Sequence, residues 1–271
     1  MNSRTARIAL PLVAIAVVVL GYAGYQYFIV ADSPDEVTTE AALEQLIEDL
    51  EADDVSADDV TADDTTDEVA AAADEPTETA APAPEGVFGT WTIDDEFGDF
   101  AFENASGSFA GFRVDKALFV GGGQTAVGRS GDVSGSIETA DGAVVGGEVV
   151  VDMTTIQSDI SQRESAIADA VKADEFGTAT FVITDGGALD TAALEAGSTV
   201  SAPITGELTI AGVTNTVTIS AEATVAEAGL ALIVGSAELV WADYGVETPN
   251  STAGTVADDG ILEFQLIVRL G

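Results

Sequence analysis

The chain of 271 residues contains no cysteine and no histidine, and it sets only 8 lysines and arginines against 48 aspartates and glutamates. Without histidine or cysteine there is no Ser-His-Asp triad, no thiol nucleophile and no nitrogen- or sulfur-ligated zinc. Disulfides are excluded as well, so cysteine usage does not report the redox compartment. The formal charge of −40 repels phosphate at every approach and excludes a nucleic-acid partner. It equally opposes adhesion to anionic headgroups through a basic patch. Such acidity suits solubility in high salt, where screening weakens self-repulsion.

What remains is carboxylate chemistry, hydroxyl chemistry or none. The paired carboxylates Asp94–Asp95 and Asp258–Asp259 flank turn signals, and adjacent residues on a strand point to opposite faces, so they read as solvated surface rather than acid and base. "GRSGDVSGS" does not fit the G-x-S-x-G nucleophile elbow. The Asp pairs of "ADDVSADDVTADDTT" (52–66) lack the spacing of a calcium loop. The sequence points to no enzyme, no cofactor and no specific metal site.

Hydropathy divides the chain in three. Residues 8–30, "IALPLVAIAVVVLGYAGYQYFIV", carry no charge and as a helix would span roughly 30 Å of hydrocarbon. Arg4 and Arg7 precede this run, and no further Lys or Arg occurs before Arg113. The charge bias predicts a single-pass membrane anchor within 1–30, its N-terminus cytoplasmic and all downstream residues extracytoplasmic. The alternative is a signal peptide with its apolar region from Ile8 to Leu20, cleaved to leave a secreted protein. Residues 31–86 hold about twenty acidic residues and no basic one, which predicts a disordered linker, roughly 40 Å end to end as flexible chain. Within it, Leu43, Leu46, Ile47 and Leu50 make a helical stripe, read as a transient helix or a short self-association helix.

Residues 87–271 form the folded domain, and strand signals dominate it. "GTWTID" (89–94) and "DFAFEN" (99–104) alternate, and 132–153 reads as two strands around an Asp141–Gly142 turn. Further strands follow at 178–184, 201–212, 214–225, 230–242 and 260–270. In "GELTIAGVTNTVTI" the pairs Leu208/Ile210 and Val217/Ile219 can face each other across a hairpin. The short connections favour antiparallel neighbours. In "RESAIADAVKADEFGTATF" (163–181) the period switches to helical at Ile167, Ala170 and Val171, predicting one helical crossover. The expected fold is all-β, a closed barrel or a sandwich. A barrel of eight strands either fills with side chains or holds one slender ligand.

Four blocks, in order, resemble the YceI-like family: "GTWTID" its W-x-I-D opening, "RESAIADAVKADEF" its R-D…F-P block, "GELTIAGVTNTV" its G-x-L-T-I-x-G-V-T-x-x-V block, and "ADYGVE" a later stretch. The chain departs from the pattern at Glu164 and Gly177, which stand where the family has Asp and Pro. It also has "DDEFGDFAFE" where a His-containing stretch is usual. The resemblance implies an antiparallel eight-stranded lipocalin-like barrel with a short helical crossover. It further implies a non-catalytic, extracytoplasmic protein with an apolar tunnel for a long-chain isoprenoid-type lipid such as a quinone or polyprenyl chain. Apolar positions that can line such a tunnel are Phe100, Phe102 and Phe112, then Ile137, Val149 and Val151 of the hairpin, then Phe181. Further along stand Leu208, Ile210, Val217 and Ile219, then Leu232, Val234, Trp241 and Leu266. Each fits a packed core equally well. Arg163 either contacts a lipid headgroup at the mouth or pairs with Glu164, Asp169 or a strand carboxylate. Arg113, Lys116 and Arg129 read as dispersed surface charge.

Overall fold

A computed structural model describes residues 33–57, 86–118, 122–227, 229–248 and 254–271. The expected anchor (1–30) and the acidic stretch 58–85 lie outside the described residues. Strands β1 (Gly89–Ile93), β4 (Val133–Ala140), β5 (Ala143–Asp152), β6 (Thr178–Asp185), β7 (Val200–Ile210), β8 (Val213–Glu227), β9 (Leu230–Val240) and β11 (Asp259–Leu270) follow one another in the sheet, and β11 pairs back to β1. Every pairing is antiparallel, so this is the closed eight-stranded barrel expected. The first half of β11 pairs with β2 (Phe109–Leu118), which in turn holds β3 (Gly122–Ser130) and the short β10 (Gly254–Val256).

The hairpins form where the turn chemistry dictates. Asp141 and Gly142 both have positive φ, the requirement of a two-residue turn that matches strand twist. The β7–β8 turn uses Ala211 and Gly212 in the same way, which sets the register. Leu208 therefore lies opposite Asn215, and Ile219 opposite Ile204. The Leu208/Ile210 and Val217/Ile219 pairs do not face each other as the sequence suggested. Between β5 and β6 the chain leaves the sheet for helix α2 (Ser161–Ala170) and the single turn α3 (Ala173–Phe176), the expected crossover. Lys172 joins the two in the left-handed conformation. The crossover is tied to β3 by reciprocal backbone bonds between Gln157 and Arg129 and by Ser158 Oγ, which donates to the Val127 carbonyl at 2.6 Å.

Two expectations change. "DFAFEN" is not a strand: residues 94–108 loop over the outside of the barrel. There Asp94 Oδ1 accepts from the Glu96 and Phe97 amides, and Gln265 Nε2 donates to the carbonyls of Ala105, Ser106 and Gly107. The linker expected over 31–86 contains a docked helix, α1 (Thr39–Ala57). Ala42 and Leu46 of α1 are buried against Leu230, Leu232, Val234 and Ile267, the outward residues of β9 and β11. Strand β9 is apolar on both faces because both are covered. The described residues form one core inside the barrel and a second outside it, under α1 and the 94–108 loop.

A buried ion cluster sits at the edge of that outer core. Glu263 is fully buried, and its Oε1 accepts from Arg129 Nε at 2.8 Å and Nη2 at 2.7 Å. Arg113 Nη1 reaches Oε2 at 3.4 Å. Each guanidinium also donates one hydrogen bond to the strap that leads into α1: Arg113 Nη2 to the Pro34 carbonyl at 2.8 Å and Arg129 Nη2 to that of Asp35 at 3.0 Å. The Arg129 guanidinium also lies 4.6 Å from the Phe109 ring centroid, a cation–π contact. Arg113 and Arg129 are thus structural, not the dispersed surface charges expected.

Candidate ligand-binding site

The barrel encloses a cavity of about 620 Å³, within the range of small-molecule sites. It exists because many inward positions are small. Ala202 of β7, Ala221 and Ala223 of β8, Ala231 of β9 and Ala179 of β6 all face it, and alanines cannot fill the bore of eight strands. Larger residues form the remaining wall. Of the residues expected to line a tunnel, Phe112, Ile137, Val149, Val151, Phe181, Leu208, Ile210, Ile219, Trp241 and Leu266 border this space. The Phe112 and Trp241 rings meet edge to face, 5.4 Å between centroids.

The others do not reach it. Phe100 and Phe102 lie in the external loop, where Phe100 packs near Phe109, 6.4 Å between centroids. Leu232 and Val234 point outward beneath α1. They carry the opposite phase to Ala231 and Ile233, which do face the cavity. Val217 keeps the inward phase and packs on the core without bordering the cavity. It sits opposite Gly206, whose vacant side-chain position is occupied by the Phe181 ring.

The two ends of the cavity differ. At one end lie the β1 start, the Asp141–Gly142 turn and the short helix α4 (Thr191–Glu195). Val87, Val144, Leu189 and Leu194 close the cavity there, and none of them is exposed. Thr139 is the polar residue at this end, and its Oγ1 donates to the Val87 carbonyl at 2.7 Å. At the other end lie α2, the 211–212 turn, the 3-10 turn Trp241–Tyr244 and the last residues of β2. Lys116, Gln162, Arg163, Glu247 and Thr248 border the cavity here, and Gln162 and Glu247 are exposed. This is the mouth.

Arg163 borders the cavity and pairs through Nη1 with Asp159, one turn earlier, rather than with Glu164 or Asp169. Asp159 Oδ2 is buried and has no hydrogen-bond partner among the described residues. Burial holds the Lys116 amine below the usual lysine range; the Arg163 charge adds to this and Asp159 partly opposes it. Lys116 is thus a mouth residue and not the surface charge the sequence suggests, and Gln162, Glu247 and Thr248 join it from positions that do not stand out in the sequence. Their one visible signal is that a charged residue holds the inward phase of an otherwise apolar strand, as Lys116 does two positions after Val114.

Residues 101–268 match the YceI-like domain. The chain belongs to the YceI-like family. Among solved structures, this YceI-like barrel resembles a polyisoprenoid binding domain from Saccharophagus degradans implicated in plant cell wall breakdown. That match has a TM-score of 0.51 at 16% identity, over 68% of this chain and 100% of that one. BcnA of Burkholderia cenocepacia matches with a TM-score of 0.45 at 22% identity, over 59% and 95%. The YCEI protein of Campylobacter jejuni matches with 0.43 at 17%, over 53% and 84%. A comparison with curated proteins finds no match. At 16% identity the similarity to the Saccharophagus domain speaks for the fold alone, and the match of residues 101–268 for the family.

Beside the mouth, Tyr244 is buried and nothing among the described residues accepts its phenolic hydrogen. Burial, reinforced by the neighbouring Asp243 carboxylate, pushes its pKa up to about 12. The folded-state value is raised above the unfolded one, near 10, so the protonated phenol is the form that folding favours. Its contribution is fully present below about pH 10 and lost as pH climbs through about 12, roughly 3 kcal/mol in total. In a chain beginning at Ser33, Tyr244 is the sole tyrosine. Phenolate absorbance there should appear near pH 12, coincident with loss of the fold, whereas titration near pH 10 in the folded state would refute the assignment.

Proposed function

We propose that this YceI-like barrel sequesters or carries a long-chain apolar lipid of isoprenoid type, and that residues 8–30 tether it to a membrane on the extracytoplasmic side. The observation that carries this reading is the cavity, walled by apolar side chains along its length, with Thr139 the one polar lining residue away from the mouth and every charged lining residue at it. Such a site suits an amphiphile. The chain is held by burial, about 0.8 kcal/mol for each CH₂ taken from water, and the polar head rests at the mouth beside Arg163 and Lys116. Holding a chain in this way requires no bond to be made or broken, in keeping with a family that is generally non-catalytic. In high salt the apolar contribution persists while electrostatic attraction is screened.

The test is solvent extraction of the purified full chain and mass spectrometry of what it releases, with uptake assays using added polyprenol or quinone. We expect a co-purifying prenyl lipid or saturable uptake. A protein that arrives empty and takes up neither would instead be a surface domain with an unused cavity. Ala223→Trp places a large ring on the cavity wall, toward the closed end, and should reduce uptake at least tenfold while circular dichroism is unchanged. The same substitution at Val217, outside the cavity, should leave uptake near wild type.

A further inference from the structure

The sequence suggested a barrel hanging on some 56 residues of linker (31–86), but the structure puts the first fixed point of the chain much earlier. Ser33 Oγ donates to the Thr125 carbonyl, Pro34 and Asp35 accept from Arg113 and Arg129, and Thr39 Oγ1 donates to Glu222 Oε2 at 2.5 Å. The strap therefore holds the barrel from Ser33 onward, and the acidic stretch 58–85 connects α1 to β1 instead of connecting membrane to barrel. Only Ala31 and Asp32 separate Val30 from Ser33, a reach of roughly 10 Å.

The place of attachment matters as much as its length. Thr125 pairs with Asp115, next to the Lys116–Gln124 pair, so the strap meets the barrel at the end that carries the mouth. Around that end Phe176, Val213 and Val240 are exposed, and the Phe176 ring lies over Gly212 of the β7–β8 turn. Phe88 and Val145 are exposed at the opposite end, so exposure alone does not choose between the ends. The entry point of the chain does.

We propose that the mouth end of the barrel docks on the outer face of the bilayer, so that the cavity opens toward the lipid instead of toward the solvent. The inference rests on residues 8–30 being an uncleaved span. The partner is a neutral or zwitterionic lipid surface. Asp174, Asp243 and Asp258 stand around the same rim, and an anionic surface would repel them except at high ionic strength. The rim rests at headgroup depth, and a lipid chain can pass from leaflet to cavity with little exposure to water.

The chain has no native cysteine, which makes the test direct. Ala242→Cys labels the mouth end and Ser198→Cys the closed end, both at exposed positions. Each full-length variant, carrying a fluorophore, is reconstituted into phosphatidylcholine vesicles containing a headgroup-nitroxide lipid. Flotation with the vesicles tests the span itself, and a chain that fails to float removes the span and the orientation together. In chains that float, the label at position 242 should be quenched several-fold more than that at 198. Equal quenching, or the reverse, overturns the docking while leaving the anchor standing. A Gly/Ser insert of about 20 residues between Asp32 and Ser33 adds roughly 25 Å of mean reach and should bring the two signals together. A contrast that survives the insert would mean the rim holds the bilayer without the short tether, which overturns the role given to the strap.

Discussion

Replacing Arg129 with methionine should lower the unfolding free energy by about 3–5 kcal/mol, the usual result of stripping one partner from a buried charge pair. Glu263 is fully buried and Arg129 supplies its two shortest hydrogen bonds. Arg113 stays within reach at 3.4 Å and cannot replace both. Methionine keeps much of the packing over Phe109, so the loss reports the charge and the bond to the Asp35 carbonyl. The measurement is the urea midpoint at pH 7. A shift worth less than about 1 kcal/mol would mean that water reaches Glu263 and pairs it. The double variant Arg129→Met with Glu263→Leu should recover much of the loss, because it removes the stranded carboxylate.

A chain beginning at Val87, the boundary the sequence suggested for the folded domain, should be markedly less stable than one beginning at Ser33 and prone to aggregate. The shorter chain uncovers Leu230, Leu232 and Ile267, each fully buried in the intact molecule, and such a contiguous apolar patch drives self-association. It also removes the carbonyl acceptors of Pro34 and Asp35 from two buried guanidinium groups. Within the intact chain, Leu46→Ala should cost about 2–5 kcal/mol as a large-to-small change in a core. Leu46→Asp should release α1 and reproduce the behaviour of the truncated chain. Thermal melting and size-exclusion chromatography of the four proteins settle the matter. Equal melting temperatures for the chains starting at 33 and 87 would show that the helix contributes nothing.

The barrel strands were largely legible, since alternation and the Asp141–Gly142 turn locate β4 and β5, and the same logic locates β6 to β9. The helical crossover was legible from a change of period at Ile167, Ala170 and Val171. What the sequence hid was the second layer. Alternation shows that one face of a strand is buried and leaves open which one, so the phase that puts Leu232 and Val234 inward looked as good as the true one. The clue was "LALIVGSAELV", a run apolar in both phases, which signals a strand covered on both sides. The stripe Leu43, Leu46 and Leu50 was the missing cover, hidden in a stretch whose charge suggested linker. The cavity had its own signal in the inward alanines of β7 to β9, whose volume is too small to fill the bore. Contacts such as Arg129 with Glu263 join positions 134 apart in sequence, and no local pattern announces them.

The strand order carries a kinetic consequence. β1, the first strand of the barrel, is held between β4 and β11, and β11 is the last to be made. The seam between Trp91 and Leu270 cannot form until nearly the whole domain has been synthesised. Local hairpins such as β4–β5 and β7–β8 can form early, while the closing step must bring together the two ends of the domain against loop entropy. The chain is therefore expected to stay open through most of its synthesis and to shut late, in milliseconds to seconds. A lipid present at that moment could be enclosed as the wall closes, without having to enter afterwards by the mouth.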